Sequence, residues 1–191
     1  MADKKSAAAE TPAGRAVAYG GFWIRVLAYL ADTSIITFVL MTAAVPAVLL
    51  GEPGMMAYAA VVALGPFLYF VLMQASRRQA TYGKGLLALK VVRAGTRAGI
   101  SFLRSLGREL AKILSAAVFG LGFIIAGFTQ RKQGLHDLIA STAVVREEPT
   151  RVLAAILVTV AGIAIPVFAV PLIFATFLGG TMSDFVGPLM G

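Results

Sequence analysis

The sequence predicts an all-α integral membrane protein: three full transmembrane helices plus a re-entrant or fourth spanning segment, with a small cytoplasmic β pair. Three observations predict it. The chain is 59% hydrophobic and 14% charged, where soluble domains average about 45–50% and about 25%. Its apolar residues gather in long blocks with the charges lying between them, rather than spreading in the periodic pattern of a soluble core. The net charge of +8 is carried largely by basic residues that flank those blocks, as on the cytoplasmic side of membrane helices. That placement argues against nucleic acid as a partner.

Residues 1–19 are small and polar, with Lys4, Lys5 and Arg15. They have no apolar stretch of the kind a cleavable signal peptide needs, and read as a disordered cytoplasmic tail. The first apolar block, Val26–Leu50, meets the roughly 20 residues a membrane helix requires. Trp23 and Tyr29 near its start suit the interface. Gly51–Glu52–Pro53–Gly54 reads as a tight turn. Met55–Ala75 crosses back, with a kink expected at Pro66. Arg77 and Arg78 end this helix. Both outer flanks of the hairpin are basic and its turn carries only Glu52, so the N-terminus is expected in the cytoplasm and the turn outside.

Leu86–Arg93 has the length and β-branched content of a short strand, and so does Ser141–Arg146. Between them, Ser101 is placed to cap a helix. Leu103, Leu106, Leu110 and Ile113 share one face of that helix, while Arg104, Arg108 and Lys112 form a stripe on another. Two readings fit equally: a membrane-surface helix with its basic stripe on anionic lipid, or a helix packed on protein with a solvated basic face. The wholly apolar stretch Ser115–Phe128 has about 14 residues, short of a full span. A re-entrant passage of 101–128 is therefore favoured over a fourth span, and lets the two strands pair on one side. Val152–Leu178, with Pro166 and Pro171, is a further membrane helix.

With no cysteine and a single histidine, His136, thiolate chemistry and multi-histidine metal sites are excluded. Thr81–Tyr82–Gly83–Lys84–Gly85 lacks the P-loop pattern. No nucleophile stands at a recognisable spacing from His136 and Asp137, so no enzyme and no cofactor are expected. Asp32 is the most informative residue. It lies seven positions past Arg25, about 10 Å further along the helix, where a charge is costly unless it serves a function or finds a partner. It reads either as a carboxylate that binds a cation or a proton, or as part of a structural polar network. Tyr29 lies between Arg25 and Asp32 on nearly the same face. His136 is the side chain whose ordinary titration falls near neutral pH.

Four pieces in order then carry a family resemblance: Gly21–Phe22–Trp23–x–Arg25–x–x–Ala28–Tyr29–x–x–Asp32; Thr81–x–Gly83–Lys84 running into Leu89–x–Val91–Val92; Leu106–x–Arg108–Glu109–Leu110; and Gln133–Gly134–Leu135–His136–Asp137–x–x–Ala140–x–Thr142–x–Val144–Val145. This pattern resembles the RDD family of bacterial membrane proteins, named for one arginine and two aspartates, here Arg25, Asp32 and Asp137. Tyr82 stands where the family often has proline. The resemblance implies a 20–146 membrane domain, leaving 147–191 as an additional transmembrane helix and short tail. It also implies a multi-pass protein of the bacterial cytoplasmic membrane, with Arg25, Asp32 and Asp137 as the family's charged residues; His136, Tyr29 and Arg108 are read beside them as members of an ion-binding or polar network. Two functions stay open. One is a cation/proton (Na+/H+) antiporter using Asp32, with a monovalent cation and a proton as ligands. The other is a non-transporting assembly or accessory subunit. Either expects a homo-oligomer or a membrane-protein partner.

Overall fold

The computed structural model describes residues 18–117, 129–147 and 150–169, together with Ile125 and Leu172. Most of the expected tail 1–19, the apolar stretch beyond Ala117 and the C-terminal tail lie outside the described residues.

Helix α1 runs Phe22–Leu49 and α2 Gly51–Ala75, 28 and 25 residues long. The turn expected over Gly51–Gly54 contracts to Leu50 and Gly51. Gly51 takes φ 68°, a value that glycine adopts without strain. Glu52 and Pro53 instead open α2, where a carboxylate complements the helix dipole and proline loses no hydrogen bond. Gly54 lets the hairpin close, because a Cβ there would lie 2.4 Å from the Ala47 carbonyl oxygen.

After α2 the chain forms a short helix α3 (Tyr82–Leu86), strand β2 (Leu89–Arg93), helix α4 (Phe102–Ala117), a short helix α5 (Leu135–Ile139) and strand β3 (Thr142–Arg146). The expected β pair is a three-stranded antiparallel sheet. Ala18–Tyr19, strand β1, adds to the other edge of β3, giving the order β1-β3-β2. Ala18 and Leu89 both oppose Arg146, and Arg93 opposes Thr142. Segment 94–141 therefore leaves and rejoins one sheet.

A third long apolar helix, α6 (Val152–Ala169, 18 residues), climbs beside α1 in the same direction. Ala155 packs low, with Ala28. Higher up, the Ser34 hydroxyl donates to the Thr159 carbonyl at 3.2 Å. Gly162 then presses on Ser34 so closely that a Cβ would stand 2.5 Å from the serine Cβ. The protein is thus a multi-pass membrane protein with three candidate spans. The sheet closes one end of the bundle: Leu87, Leu89, Val91, Ile100 and Val144 form a buried cluster with Ala28 and Ala155. Burying these side chains contributes about 1.5–3 kcal/mol for each large aliphatic.

Helix α4 is amphipathic in an inverted sense. Leu103, Leu110, Ile113 and Leu114 are exposed, while Ser105, Arg108, Glu109 and Ser115 are buried. Its apolar face thus points away from the protein and its polar face onto α2, where the Ser105 hydroxyl donates to the Val71 carbonyl at 2.8 Å.

Candidate functional site

Two buried carboxylates organise the end of the bundle near the sheet. Asp32, fully buried on α1, accepts hydrogen bonds from three neutral donors among the described residues. The Tyr69 hydroxyl on α2 donates to Oδ1 at 2.7 Å, and the Gly83 amide donates to the same oxygen at 2.7 Å. The Thr81 hydroxyl, which also caps α3, donates to Oδ2. The α3 backbone reaches the carboxylate because residue 83 has no side chain. A Cβ there would lie 2.2 Å from the Ala28 carbonyl oxygen and 2.9 Å from Asp32 Cγ. Tyr69 further accepts from the Tyr82 amide at 3.0 Å and stacks on the Tyr82 ring.

Asp137, also fully buried, is the charged counterpart. Arg108 Nε donates to Oδ1 at 2.8 Å, and Arg25 Nη1 donates to Oδ2. The Gly134 amide and the Thr142 hydroxyl complete the shell at 3.3 Å each. The carboxylate thereby caps its own helix α5 and fixes the entry to β3. Arg25 also donates through Nε to Gly20 O at 2.7 Å and through Nη2 to Lys132 O, so its whole fork is used. Burial by itself raises the Asp137 carboxyl, but the Arg108 and Arg25 guanidiniums outweigh it and hold the group well below the usual carboxylate range.

From Arg108 the network continues into the bundle. Arg108 Nη1 donates to Gln74 Oε1, the Gln74 amide donates to Glu109 Oε1 at 2.6 Å, and Lys112 donates to Glu109 Oε2 at 2.8 Å. Burial raises Glu109, yet Lys112 and Arg108 leave it below its ordinary value. Lys84 and Lys112 both lie by the Phe70 ring, at 5.7 and 4.9 Å from its centroid. Burial, with repulsion from Lys112 and Arg108, pushes Lys84 down to about 7 despite Asp32 and Glu109. Burial sets the sign, because a charged ammonium loses its hydration there, and the neighbouring cations add to it.

The sequence-based expectations fare unevenly. Arg25 and Asp137 meet, but Asp32 is not their partner; one triad becomes two separate sites. Arg108 joins Asp137. Tyr29 is half exposed and stacks on Phe70 with centroids 5.9 Å apart, leaving the hydroxyl role at Asp32 to Tyr69. His136 does not titrate near neutrality: burial, reinforced by Arg108, Lys112 and Arg25 against the pull of Asp137, lowers it to about 3. The basic stripe is broken up because α4 turns its charges inward. Arg108 is 2% exposed and Lys112 is drawn onto Glu109, while Arg104 remains partly exposed and reaches the Ser141 carbonyl. Gln74, Tyr69 and Lys84 had not been assigned roles. Gln74 was the most findable, as the lone amide in an otherwise apolar block.

The RDD family model matches residues 19–141, which include Arg25, Asp32 and Asp137. The chain is 36% identical to the uncharacterized protein YxaI of Bacillus subtilis (strain 168), over 65% of this chain and 95% of that protein. It is 32% identical to the uncharacterized membrane protein YteJ of the same organism, over 69% of this chain and 83% of that protein. No solved structure matches.

Proposed function

The chain belongs to the RDD family, and on that premise we propose that it is a non-transporting assembly or accessory subunit of a membrane complex. The closed state of Asp32 carries this reading. Three donors from the protein occupy both carboxylate oxygens, and the residue is fully buried. One of those donors is a backbone amide, which has no lone pair to offer a cation. A site that takes up Na+ or H+ during turnover needs open acceptor oxygens and a water path. Asp32 instead clasps α3 to α1 and α2. Asp137 does the same for α4, α5 and α1. The charges hold a small polar domain against the membrane helices. The spans leave most of their surface facing outward, available to neighbouring helices, whether of further copies or of a partner protein.

The membrane arrangement belongs to the same reading. With the basic flanks inside, the sheet lies in the cytoplasm, α1 and α6 lead outward and α2 returns. Segment 94–141 starts and ends at the sheet, which favours the expected re-entrant passage of 101–128; the apolar middle of that passage lies outside the described residues. The exposed apolar face of α4 meets lipid in the cytoplasmic leaflet.

One observation keeps the antiporter reading as the second. Lys84, pushed to about 7, shares the buried site with Asp32 and exchanges its proton near neutral pH. Cation-driven proton flux in proteoliposomes separates the two, with Na+, K+ and Li+ tested across pH. The subunit reading expects flux no greater than that of empty liposomes from folded, inserted protein. Flux that disappears in a folded Asp32→Asn variant would overturn it in favour of antiport.

A further inference from the structure

At the end of the bundle nearest the sheet, a cleft of about 670 Å3 opens among the residues that follow α2, helix α3, the start of β2 and the residues that precede α6. Arg77, Arg78, Lys90 and Arg151 line it, with Glu147 and Tyr82. Glu147 is engaged by Lys90 at 2.8 Å. Arg78 lies over the Tyr82 ring, 5.4 Å from its centroid. Among the described residues no carboxylate pairs with Arg77, Arg78 or Arg151. Three guanidiniums that have no carboxylate partner among the described residues therefore line one concavity, and each offers a planar fork suited to phosphate oxygens.

Its level in the fold identifies the anion. Arg77 and Arg78 follow directly on the end of α2, and Arg151 immediately precedes α6. The cleft thus stands where two apolar spans end, at the depth of lipid phosphates. Leu72 and Leu153, exposed on these same spans within two turns of the arginines, supply apolar surface for acyl chains. A soluble phosphate has no use for that surface. The N-terminus of α6 adds its positive dipole end to the same side. We propose that this cleft binds the phosphate of an anionic phospholipid headgroup, held among Arg77, Arg78 and Arg151. The anionic-lipid contact that the sequence suggested for Arg104, Arg108 and Lys112 falls instead to these residues.

The test is native mass spectrometry of the full chain in detergent, with equal amounts of phosphatidylglycerol and phosphatidylcholine of the same acyl chains. The parent is expected to retain phosphatidylglycerol preferentially. A surface arginine near anionic lipid is worth about five-fold in binding, so Arg77→Gln with Arg151→Gln should lower that retention by about twenty-five-fold. Both side chains are exposed, and an unchanged gel-filtration profile checks the fold. The charge-keeping pair Arg77→Lys with Arg151→Lys should preserve the preference. The control pair Arg93→Gln with Arg131→Gln, also exposed, removes equal charge elsewhere and should retain the lipid as the parent does. Equal retention of the two lipids by the parent would overturn the proposal, as would an equal loss in the control pair. Displacement of the lipid by equimolar inorganic phosphate would assign the cleft to a free anion and overturn the lipid reading.

Discussion

Arg25 and Asp137 stand 112 positions apart in the chain, yet the guanidinium of one donates directly to the carboxylate of the other. Arg25 belongs to the first membrane helix and Asp137 to the short helix before β3. The contact ties the start of the bundle to the far edge of the polar domain, and Arg108 on α4 shares the same carboxylate.

Asp137→Asn should therefore be severe. It leaves two buried arginines facing a neutral amide, and removing one member of a buried pair costs about 3–5 kcal/mol. The folded-state carboxyl is depressed from its ordinary 3.8. Its contribution is thus complete above about pH 5 and fades as pH falls further. Denaturation of the detergent-solubilised protein, compared with Asp137→Asn between pH 5 and 8, should show a gap that stays constant. A gap that narrows from pH 8 to 5 would contradict this ionisation state.

The Asp32 clasp gives an ordered series. Tyr69→Phe removes one donor from a buried carboxyl group and should cost about 1–3 kcal/mol. Gly83→Ala should cost at least as much, about 3 kcal/mol, the upper end for overpacking, since its Cβ meets the Ala28 carbonyl at 2.2 Å. Asp32→Asn should be milder than Asp32→Leu, because the Thr81 hydroxyl can rotate to accept from the new amide. Thermal midpoints of the four variants test this order, and a harmless Gly83→Ala would refute the close contact of α3 with α1.

Lys84 makes stability depend on alkaline pH. Its folded value of about 7 lies below the ordinary 10.5, so between those limits the unfolded chain binds more protons than the folded one. Stability then rises with pH across that window, by up to ~1.4 kcal/mol per unit, and levels off above it. Lys84→Met should flatten the rise and raise stability at pH 7. Some slope should remain, since Lys112 is also lowered by burial despite Glu109. Chemical denaturation at pH 7, 8.5 and 10 reads the slope directly. A parent that loses stability over this range would refute the assignment.

Gly162→Val should pry α6 from α1. The glycine backbone lies against Ser34, whose hydroxyl anchors the Thr159 carbonyl, and no rotamer change relieves a clash with a Cβ and a backbone oxygen. Disulfide crosslinking between cysteines placed at Ala28 and Ala155, which share one buried cluster, should fall sharply in this variant. Undiminished crosslinking would show that α6 docks elsewhere.

How much of this was legible in the residues differs by element. The first two spans were read within four residues of their bounds, because about 20 apolar side chains in a row have few alternatives to lipid. The third was read from its first residue, and its expected end at Leu178 lies outside the described residues. Strands β2 and β3 were found from β-branched runs. Strand β1 escaped because two residues carry no periodicity. The orientation of α4 was not legible. The spacing of Leu103, Leu106, Leu110 and Ile113 establishes two faces but not which one meets protein; next to lipid the usual preference inverts. Among the site residues, a charge inside an apolar block marked Asp32, and the family pattern marked Arg25 and Asp137. The partners of Asp32 were not marked, since a tyrosine in a membrane helix and a glycine in a loop are ordinary there.

The sequence by itself determined that this chain lives in a membrane, where its helices lie and which charges needed an explanation, because those follow from local composition and the cost of burying charge. Only the tertiary structure decided which charges meet. It separated Asp32 from Arg25, gave Asp137 both arginines and turned the basic residues of α4 inward. Pairing across 112 positions depends on how β3 folds back beside β2, and no local pattern records that.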